Sequence, residues 1–337
     1  MFKFSFAYSI RMSILAILQV QQYTRRILKR CGMNKLRIAT RSSNLAIIQT
    51  QIVVDEIAKH NPALEFEIVE IKSEGDIDKK KPLWKLSETG FFTAAVENAL
   101  RQNKADIAVH SYKDLPIGAN DKIVTAAVLD RRFCQDCLIC TGKIESLKDL
   151  PKGAKIGTSS LRRKAQLLHA RSDLKCEPIR GNVPTRINQV EKGQFDGTVL
   201  AYAGLERLGL IDKISLSFDP TEFIPAPAQG AIAVQARAGD SATLKLLAEI
   251  DDKPSRITSD TERLVFHRLK AGCHVPAGVF AQITGDNITV YAFVSDENGR
   301  KFINRKKQGA LKSAKKVAEQ LADELLKAGA GKLLKNE

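Results

Sequence analysis

The sequence predicts an α/β protein built from three domains. From Met33 to about residue 210, apolar strand-like segments alternate with helix-like segments in two successive sets, which is typical of parallel sheets covered by helices. After about residue 255, short strands follow one another and a long helix ends the pattern, which indicates a smaller α+β domain. A chain of 337 residues is long enough for two or three domains.

The first set begins with a strand and a helix. Residues 35–40 alternate apolar and polar side chains, and Ser42 or Ser43 can cap the helix that follows. That helix is expected to run to about His60, and residues 66–71 form the next predicted strand. Because strand, helix and strand fit within about forty residues, a βαβ unit and a parallel sheet are expected.

A polar cluster follows a buried strand in the same set. The strand predicted at 105–110 runs directly into the polar segment 111–116, which contains Lys113 and Asp114. Proteins with parallel sheets place ligand groups at this end of a strand. Residues 75–88 are too polar to bury, so they are expected to form a surface loop of the kind that covers a site.

Arginines recur where strands of the second set meet their helices. The strands predicted at 155–158, 176–180 and 197–202 each lead into a helix. Free N–H groups at helix starts attract anions, and guanidinium groups bind carboxylates or phosphates in a forked geometry. A small polyanionic ligand is therefore expected, although any one of these side chains could instead cap a helix or form a surface ion pair. The arginines are Arg162, Arg163, Arg180, Arg186 and Arg207.

The net charge of +15 is unevenly distributed along the chain. Residues 1–32 contribute +6 and residues 300–337 contribute +7, so residues 33–299 carry only +2. A nucleic-acid-binding protein is expected to carry its charge as a patch on the body of the domain. The sequence also contains no Walker A motif, G-x-G-x-x-G motif or zinc-finger spacing. Nucleic acid is therefore not expected as a partner.

Six cysteines are few and irregular for this length, which favours a reducing compartment and a cytoplasmic protein. Cys134, Cys137 and Cys140 could hold a metal, but no second ligand cluster accompanies them, so no metal site is expected. Cys273 lies in a predicted loop between glycine and proline. On chemistry alone, it is either an inert thiol or a site of modification.

Residues 1–32 are basic and free of acids, and their apolar run is too short to span a bilayer. In composition they resemble an organelle transit peptide, which would imply import. The simpler interpretation is an upstream start codon, since Met33 lies just before the first predicted strand. This segment is excluded from the fold prediction, and no membrane partner is expected.

Six sequence motifs occur together in this chain. They are LRIATRSS (36–43), ADIAVHSYKDLP (105–116), GTSSLRR (157–163), RGNVPTR (180–186), LAYAGLERLG (200–209) and GCHVP (272–276). In this order they resemble the motifs of the porphobilinogen deaminases, also called hydroxymethylbilane synthases. The resemblance extends over residues 33–337, and six motifs in one order are far more specific than any single motif.

The resemblance implies a fold and a reaction. The first two domains are expected to resemble the halves of a type II periplasmic binding protein, and the third to be a small α+β domain. The expected enzyme is a monomeric transferase of porphyrin and haem biosynthesis that joins four porphobilinogen molecules head to tail, releases ammonia and forms hydroxymethylbilane. The expected domain bounds are 33–131 plus 230–247, 132–229, and 252–337.

The resemblance also implies the site residues. Cys273 is expected to hold a dipyrromethane cofactor through a thioether, and Asp114 is the expected catalytic residue. Porphobilinogen carries an acetate and a propionate, so the bound chain gains two carboxylates per ring and needs several fixed cations. Lys113, Ser160, Arg162, Arg163 and Arg186 are expected at cofactor carboxylates, and Arg41, Ser43, Arg180, Arg186 and Arg207 at the substrate.

Asp114 suits this reaction because the departing amine needs a proton and the cation left behind needs a negative charge beside it. One carboxyl group can serve both needs in turn. The alternative is a structural role, in which Asp114 pairs with Lys113 or caps the turn before Pro116. A binding protein without catalysis would share the cleft between the first two domains in which the resemblance places the site. Such a protein would need neither Asp114 beside Lys113 nor an exposed Cys273.

The chain departs from the family pattern at two places. Thr89 stands where many relatives have a lysine in the loop over the site, which leaves Lys85 as the expected cation of that loop. Pro184 stands where a glycine is usual, and it is expected to stiffen the turn before Arg186.

Overall fold

The computed structural model describes residues 34–71, 93–118, 121–271 and 275–334. Within these ranges the strands form three β-sheets that pack against helices. Among the described residues, no helix is long and apolar enough to cross a membrane. The predictions for residues 1–32, for Lys85 and for Cys273 fall outside these ranges.

The first sheet comprises β1 (Lys35–Arg41), β2 (Glu65–Ile71), β3 (Ile107–Ser111), β4 (Ile123–Val128) and β10 (Ile232–Arg237). Its order is β2-β1-β3-β10-β4, with β1 parallel to β2 and β3, and β10 antiparallel to β3 and β4. The parallel pairing expected for the first βαβ unit is confirmed by β1 and β2, and β3 joins them in parallel, whereas β10 runs antiparallel. Strand β10 is antiparallel to its neighbours because the chain enters it from the second lobe and not through a crossover helix. The first and second lobes are the parts of the chain that form the two five-stranded sheets and the helices packed on them.

The first lobe brings three of the predicted site residues to one edge of its sheet. Ser43 caps helix α1 (Asn44–His60), its hydroxyl accepting a hydrogen bond from the N–H of Ala46 at 3.3 Å. Arg41 is the last residue of β1, and β3 leads directly into the 3-10 turn Tyr112–Asp114. Because β1 and β3 are parallel, their carboxyl ends place Arg41, Ser43 and Asp114 at the same edge.

The second sheet repeats this arrangement. It comprises β5 (Asp136–Cys140), β6 (Lys155–Gly157), β7 (Lys175–Glu177), β8 (Gly197–Ala201) and β9 (Leu216–Ser217). Its order is β7-β6-β8-β5-β9, with β6 parallel to β7 and β8, and β5 antiparallel to β8 and β9. In both sheets, three parallel strands lie beside an antiparallel strand that the chain enters directly after passing from one lobe to the other.

Two of the three helices that follow the parallel strands of the second lobe begin at capped turns. Ser160 caps the first of them and accepts a hydrogen bond from the N–H of Arg163, while Asn182 caps the second and accepts one from the N–H of Thr185. Pro184 lies in the first turn of that second helix, where a missing N–H removes no helical hydrogen bond. The helices after β6, β7 and β8 are α3 (Leu161–Ala170), α4 (Val183–Glu191) and α5 (Tyr202–Arg207).

Two segments, residues 129–135 and 224–231, connect the lobes and pass very close to each other. Gly230 adopts a φ of +90°, and a Cβ atom on it would lie 2.0 Å from the carbonyl oxygen of Phe133. A side chain at this position would meet both a strained backbone and a backbone clash. The connection between the lobes therefore requires glycine at residue 230.

The third sheet contains β11 (Ala277–Thr284), β12 (Asn287–Ser295) and β13 (Phe302–Ala310), paired antiparallel in chain order. Helices α7 (Lys253–Arg268) and α8 (Ala314–Lys327) pack on it and complete an apolar core, as predicted for a small α+β domain. The strands of all three sheets lie within the predicted domain bounds, and the bounds themselves stay a prediction. The described chain also contains α2 (Ala94–Arg101), α6 (Ser241–Ala248) and α9 (Ala330–Leu334).

A buried carboxylate fixes the third domain to both connecting segments. Glu262 of α7 accepts hydrogen bonds from Arg131 Nη1 at 2.7 Å, from the N–H of Ala228 at 2.6 Å and from the N–H of Ala281 at 2.8 Å. Arg131 and Ala228 belong to the two connections, and Ala281 belongs to β11. The Arg131 guanidinium also donates to the carbonyl of Gln229 at 2.7 Å. One ion pair therefore holds the point where all three domains meet.

We expect Glu262→Ala to lower the unfolding temperature strongly. The substitution leaves the buried Arg131 guanidinium without its carboxylate, which costs about 3–5 kcal/mol. Asp323→Ala is the matched control, because Asp323 pairs with Arg268 at 3.2 Å on the surface and such pairs contribute about 0.2–1 kcal/mol. Thermal unfolding of both purified variants provides the comparison, and equal unfolding temperatures would contradict the role of Glu262.

Candidate active site

The turn after β3 presents Lys113 and Asp114 side by side. Tyr112 and Leu115, which flank them, are buried. Lys113 is half-buried and Asp114 is exposed. The flanking side chains thus anchor the turn in the core, and the Asp114 carboxylate stays accessible from outside.

A small pocket of about 80 Å³ joins Asp114 to the end of β1. Arg41 and Ser43 line it together with Asp114, as the sequence predicts, and Ser111 and Gln49 complete its polar wall. The amide of Gln49 donates a hydrogen bond to the hydroxyl of Ser111 at 2.9 Å. A guanidinium, a hydroxyl and a carboxylate in one pocket can bind an anionic group and exchange a proton with a neighbouring one.

His110 lies in the wall of the same pocket and was not predicted as a site residue. Its side chain is buried, and desolvation together with the charge of Arg41 lowers its pKa to about 4, against a hydrogen bond with Gln235 that raises it. The imidazole is therefore neutral at pH 7. Its Nε2 atom has no hydrogen-bond partner within the described part of the chain. A histidine at the end of a buried strand, next to a polar segment, was the sequence signal for this residue.

Asp136 holds the two arginines at the start of α3. Its fully buried carboxylate accepts hydrogen bonds from Arg162 Nη1 at 2.7 Å and from Arg163 Nη2 at 2.7 Å and Nε at 3.1 Å. Arg162 and Arg163 also donate to the carbonyls of Ile224 and Val199. The guanidinium groups keep the pKa of Asp136 well below its usual range, against the opposing effect of burial. Their predicted contact with cofactor carboxylates stays a prediction.

Gln229 connects this ion cluster to the turn that carries Lys113 and Asp114. Its amide nitrogen donates to Asp136 Oδ1 at 3.0 Å and to the carbonyl of Cys134 at 2.9 Å, and its amide oxygen accepts from Lys113 Nζ at 3.4 Å. Sequence reasoning missed both Asp136 and Gln229. A charged residue at the start of an apolar strand was the available signal for Asp136, because such a residue needs a partner when it is buried.

Positive charge accumulates from Lys113 to the start of α4. Desolvation lowers the pKa of Lys113 to about 8, and Arg163 and Arg162 lower it further, against the carboxylates of Asp114 and Asp136. Desolvation also lowers the pKa of Arg186 to about 10, with contributions from Arg163 and Arg180. Cations that lower each other's pKa in this way are incompletely neutralised, so the site favours an anion.

This charge balance fits the expected cofactor and substrate. Counting Lys113 and Arg186 with the charges that act on them, the described residues here comprise five cations and two carboxylates, and the ligand implied by the family resemblance carries two carboxylates per pyrrole ring. Ser160 adds the capped start of α3, and Arg186 Nε is held by the carbonyl of Gly181 at 2.8 Å. The cations are Lys113, Arg162, Arg163, Arg180 and Arg186, and the carboxylates are Asp114 and Asp136.

Arg207 lies apart from the pocket that contains Asp114. It is the last residue of α5, whereas the sequence placed it among the residues of a helix start. Its Nη2 atom donates to the carbonyl of Gly230 at 2.5 Å, and the side chain lines a larger cavity of about 790 Å³ beside the connecting segments. Desolvation lowers its pKa. A substrate contact of Arg207 stays a prediction.

The cysteines of the second lobe are free thiols. Burial raises the pKa of Cys134 to about 11 and that of Cys137 to about 12, so both stay protonated at neutral pH. Cys140 and Cys176 are also free. In the part of the chain that the structure describes, no group of three or more His, Cys, Asp or Glu side chains is arranged to hold a metal ion.

Two family models match this chain and together extend over most of it. The model described as porphobilinogen deaminase, dipyromethane cofactor binding domain, matches residues 36–245, and the model described as porphobilinogen deaminase, C-terminal domain, matches residues 257–327. The chain belongs to the porphobilinogen deaminase family. It is a transferase that forms hydroxymethylbilane in tetrapyrrole biosynthesis, with porphobilinogen as substrate and dipyrromethane as cofactor.

Relatives named porphobilinogen deaminase are similar over nearly their whole length. The one from Roseiflexus castenholzii is 39% identical over 301 residues, which is 89% of this chain and 99% of that protein. The one from Xanthomonas axonopodis is 39% identical over 302 residues, which is 90% of this chain and 99% of that protein. The family assignment therefore applies to all three domains of this deaminase.

Solved structures are more distant. A lipoprotein of the YaeC family from Enterococcus faecalis is 16% identical with a TM-score of 0.41, covering 65% of this chain and 92% of that chain. A periplasmic sulfonate-binding protein from Methylobacillus flagellatus is 17% identical with a TM-score of 0.37, covering 69% of this chain and 68% of that chain. The mixed α/β fold of the deaminase is evident from its own two sheets of matching strand order.

We expect Asp136→Asn to destabilise the deaminase at pH 7 by about 3–5 kcal/mol, because two buried guanidinium groups lose their carboxylate. The pKa of Asp136 is lowered from 3.8 in the folded state, so its stabilisation is present above that pH and is lost as the pH falls through the folded pKa. The difference between wild type and variant should therefore shrink below about pH 4.

Asp130→Asn is the control for this variant, since Asp130 pairs with Arg132 at 2.9 Å on the surface. Denaturant unfolding at pH 7 and pH 3 measures both variants. A difference for Asp136→Asn that is the same at the two pH values would contradict the ion-pair explanation.

Proposed function

We propose that this deaminase joins its four porphobilinogen molecules in the region between the first two lobes, with Asp114 as the catalytic group. One observation carries the proposal. Asp114 lines the pocket of Arg41 and Ser43, and its charge also acts on the adjacent Lys113, whose pKa responds to Arg162 and Arg163 of α3. An acid that shares a pocket with one set of cations and neighbours another supports a reaction between two carboxylate-bearing pyrroles.

Asp114 has two tasks in the proposed reaction. As a carboxylic acid it donates a proton to the aminomethyl nitrogen of porphobilinogen, and the C–N bond breaks with its electron pair leaving on ammonia. The substrate is then an azafulvenium cation, and the Asp114 carboxylate stabilises it until the free pyrrole α-carbon of the next ring attacks its methylene carbon. A C–C bond forms, which turns the attacked azafulvenium into a neutral pyrrole and leaves the positive charge on the attacking ring. That ring regains neutrality when its α-carbon loses its proton to the Asp114 carboxylate, which restores the carboxylic acid. General acid–base catalysis of this kind contributes about 10²–10⁴-fold.

The substrate side of the site is proposed to consist of Arg41 and Ser43, with Arg180, Arg186 and Arg207 binding further carboxylates. Arg41 and Ser43 line the pocket of Asp114, which supports their placement beside the reacting ring. Arg180 and Arg186 are close enough for their charges to interact, which supports a shared anionic ligand. The proposed role of Lys85 concerns residues that the structure does not describe.

The cofactor side is proposed to consist of Lys113, Ser160, Arg162, Arg163 and Arg186, with Cys273 forming the thioether. Dipyrromethane, when bound, supplies the free pyrrole position to which the first substrate is joined. Lys113 contributes a cation whose pKa of about 8 rises when a carboxylate approaches, so anion binding keeps it protonated. Arg162 and Arg163 are preorganised by Asp136 and need no rearrangement to present positive charge.

We further propose that the deaminase acts as a cytoplasmic monomer without nucleic-acid or membrane partners. The nearly neutral body of the chain supports the absence of a nucleic-acid partner, because the excess charge lies at its two ends. The free thiols of the second lobe support a reducing compartment.

Asp114→Asn is expected to lower kcat for porphobilinogen consumption by about 10²–10⁴-fold while the cofactor stays attached. The amide keeps the shape of the side chain but can neither donate the proton nor offset the cation. Steady-state ammonia release measures the rate, and Asp212→Asn, an exposed aspartate of the second lobe, is the control. Near-normal turnover by Asp114→Asn would refute the catalytic role.

Intact mass measurement tests the cofactor attachment. The native chain should carry the added mass of one covalent dipyrrole, and Cys273→Ser should carry none, since a serine hydroxyl cannot form the thioether. Cys176→Ser, which replaces a free thiol of the second lobe, should keep the added mass. An unmodified native chain with full activity would overturn this assignment.

A further inference from the structure

The third domain contacts the turn that carries Asp114. Arg263 of α7 donates through Nη1 to the carbonyls of Tyr112 at 3.3 Å and Leu115 at 3.0 Å, and through Nη2 to the carbonyl of Pro116 at 2.6 Å. All three acceptors belong to the segment 112–116, on both sides of Lys113 and Asp114. One guanidinium therefore holds the main chain on both sides of Lys113 and Asp114.

The side chain of Tyr112 strengthens the same contact. The guanidinium carbon of Arg263 lies 4.5 Å from the centre of the Tyr112 ring, a cation–π geometry. The Tyr112 hydroxyl donates to Asp260 Oδ1 at 2.6 Å, one turn earlier on α7. Ile117, directly after the segment, packs against the core of the third domain. Helix α7 therefore holds this segment by backbone carbonyls, by an aromatic face and by apolar packing.

Hydrogen bonds to backbone carbonyls hold the main chain of this segment in place, whatever its side chains do. Between Tyr112 and Leu115 the chain is a single 3-10 turn, so fixing both ends leaves the Lys113 and Asp114 backbone few alternative conformations. The remaining freedom of Asp114 is that of its own side-chain torsions. A displacement of about 1 Å at a catalytic group can cost about 10²-fold in rate.

We propose that Arg263 is a positioning residue for Asp114, acting through the backbone of the segment 112–116, and this rests on the proposed catalytic role of Asp114. Arg263 does not need to touch the substrate in this role. Its loss lets the turn move relative to the pocket of Arg41 and Ser43, so the carboxyl group reaches the departing amine less often. Loss of Arg263 should not detach the third domain, because Glu262 still fixes α7 to the segments that connect the lobes.

The test compares Arg263→Ala, Arg263→Lys and the control Arg268→Ala, which removes an exposed arginine of the same helix paired with Asp323. Each is made in the wild-type holoenzyme and in the Asp114→Asn variant, and intact mass confirms that the cofactor is attached.

Arg263→Ala should lower kcat by about 10²-fold with KM changed less than about threefold. Arg263→Lys should recover part of kcat, since an ammonium reaches fewer of the three carbonyls. Arg268→Ala should leave both parameters unchanged.

The Asp114→Asn background separates positioning from a merely structural effect. If Arg263 acts through Asp114, adding Arg263→Ala to Asp114→Asn should lower the residual rate by less than about threefold. The inference is overturned if Arg263→Ala keeps the kcat of the Arg268→Ala control, or if it lowers the rate equally in both backgrounds. Should Arg263→Ala not fold, Arg263→Lys carries the same comparison, with kcat expected to fall about three- to tenfold. Near-normal turnover of Asp114→Asn alone would remove the proposed function, whereas a slow Asp114→Asn with a normal Arg263→Ala would remove only this inference.

Discussion

The buried carboxylate of Asp136 is the interaction on which the arrangement of the site depends. Arg162 and Arg163 are consecutive, and two buried guanidinium groups at that spacing would repel each other and remain without hydrogen-bond acceptors. Asp136 accepts from both, and nearby carbonyls take further donors. The cluster keeps a positive charge after this pairing, and because its geometry is already fixed, an anionic ligand encounters oriented donors and not flexible surface side chains.

The same carboxylate links the lobes. Gln229 lies in the second connecting segment, donates to Asp136 in the second lobe and accepts from Lys113 in the first. Gly230, the next residue, permits the close approach of the two connections. A change in the distance between the lobes therefore has to alter the surroundings of Lys113 and of the arginine pair together. The desolvation of Lys113 is a consequence of this closeness and makes its protonation sensitive to an incoming carboxylate.

Sequence patterns predicted the parts of this structure that depend on local chemistry. Alternating apolar residues, Ser43 as a cap and the polar segment after β3 are local features, and the structure contains each of them. The reversed direction of β10, the burial of Asp136 and the hydrogen bond of Arg207 to Gly230 depend on contacts between residues distant in the chain. No pattern near Asp136 indicates that its partners lie 26 and 27 positions away. The motif resemblance identified the reaction and its candidate residues. The hydrogen bonds that orient those residues join distant parts of the chain, so they are visible only in the structure.

Helix α7 gives the third domain a part in the geometry of the site. Glu262 and Arg263 are consecutive, so their side chains leave the helix about 100° apart. One reaches the segments that connect the lobes, and the other reaches the segment that carries Asp114. The position of Asp114 is therefore fixed by contacts with α7 as well as by the sheet of its own lobe. In sequence, α7 ends at Arg268, only five positions before Cys273. Helix α7 therefore holds the segment of the proposed acid and, in sequence, ends shortly before the residue proposed to bind the cofactor.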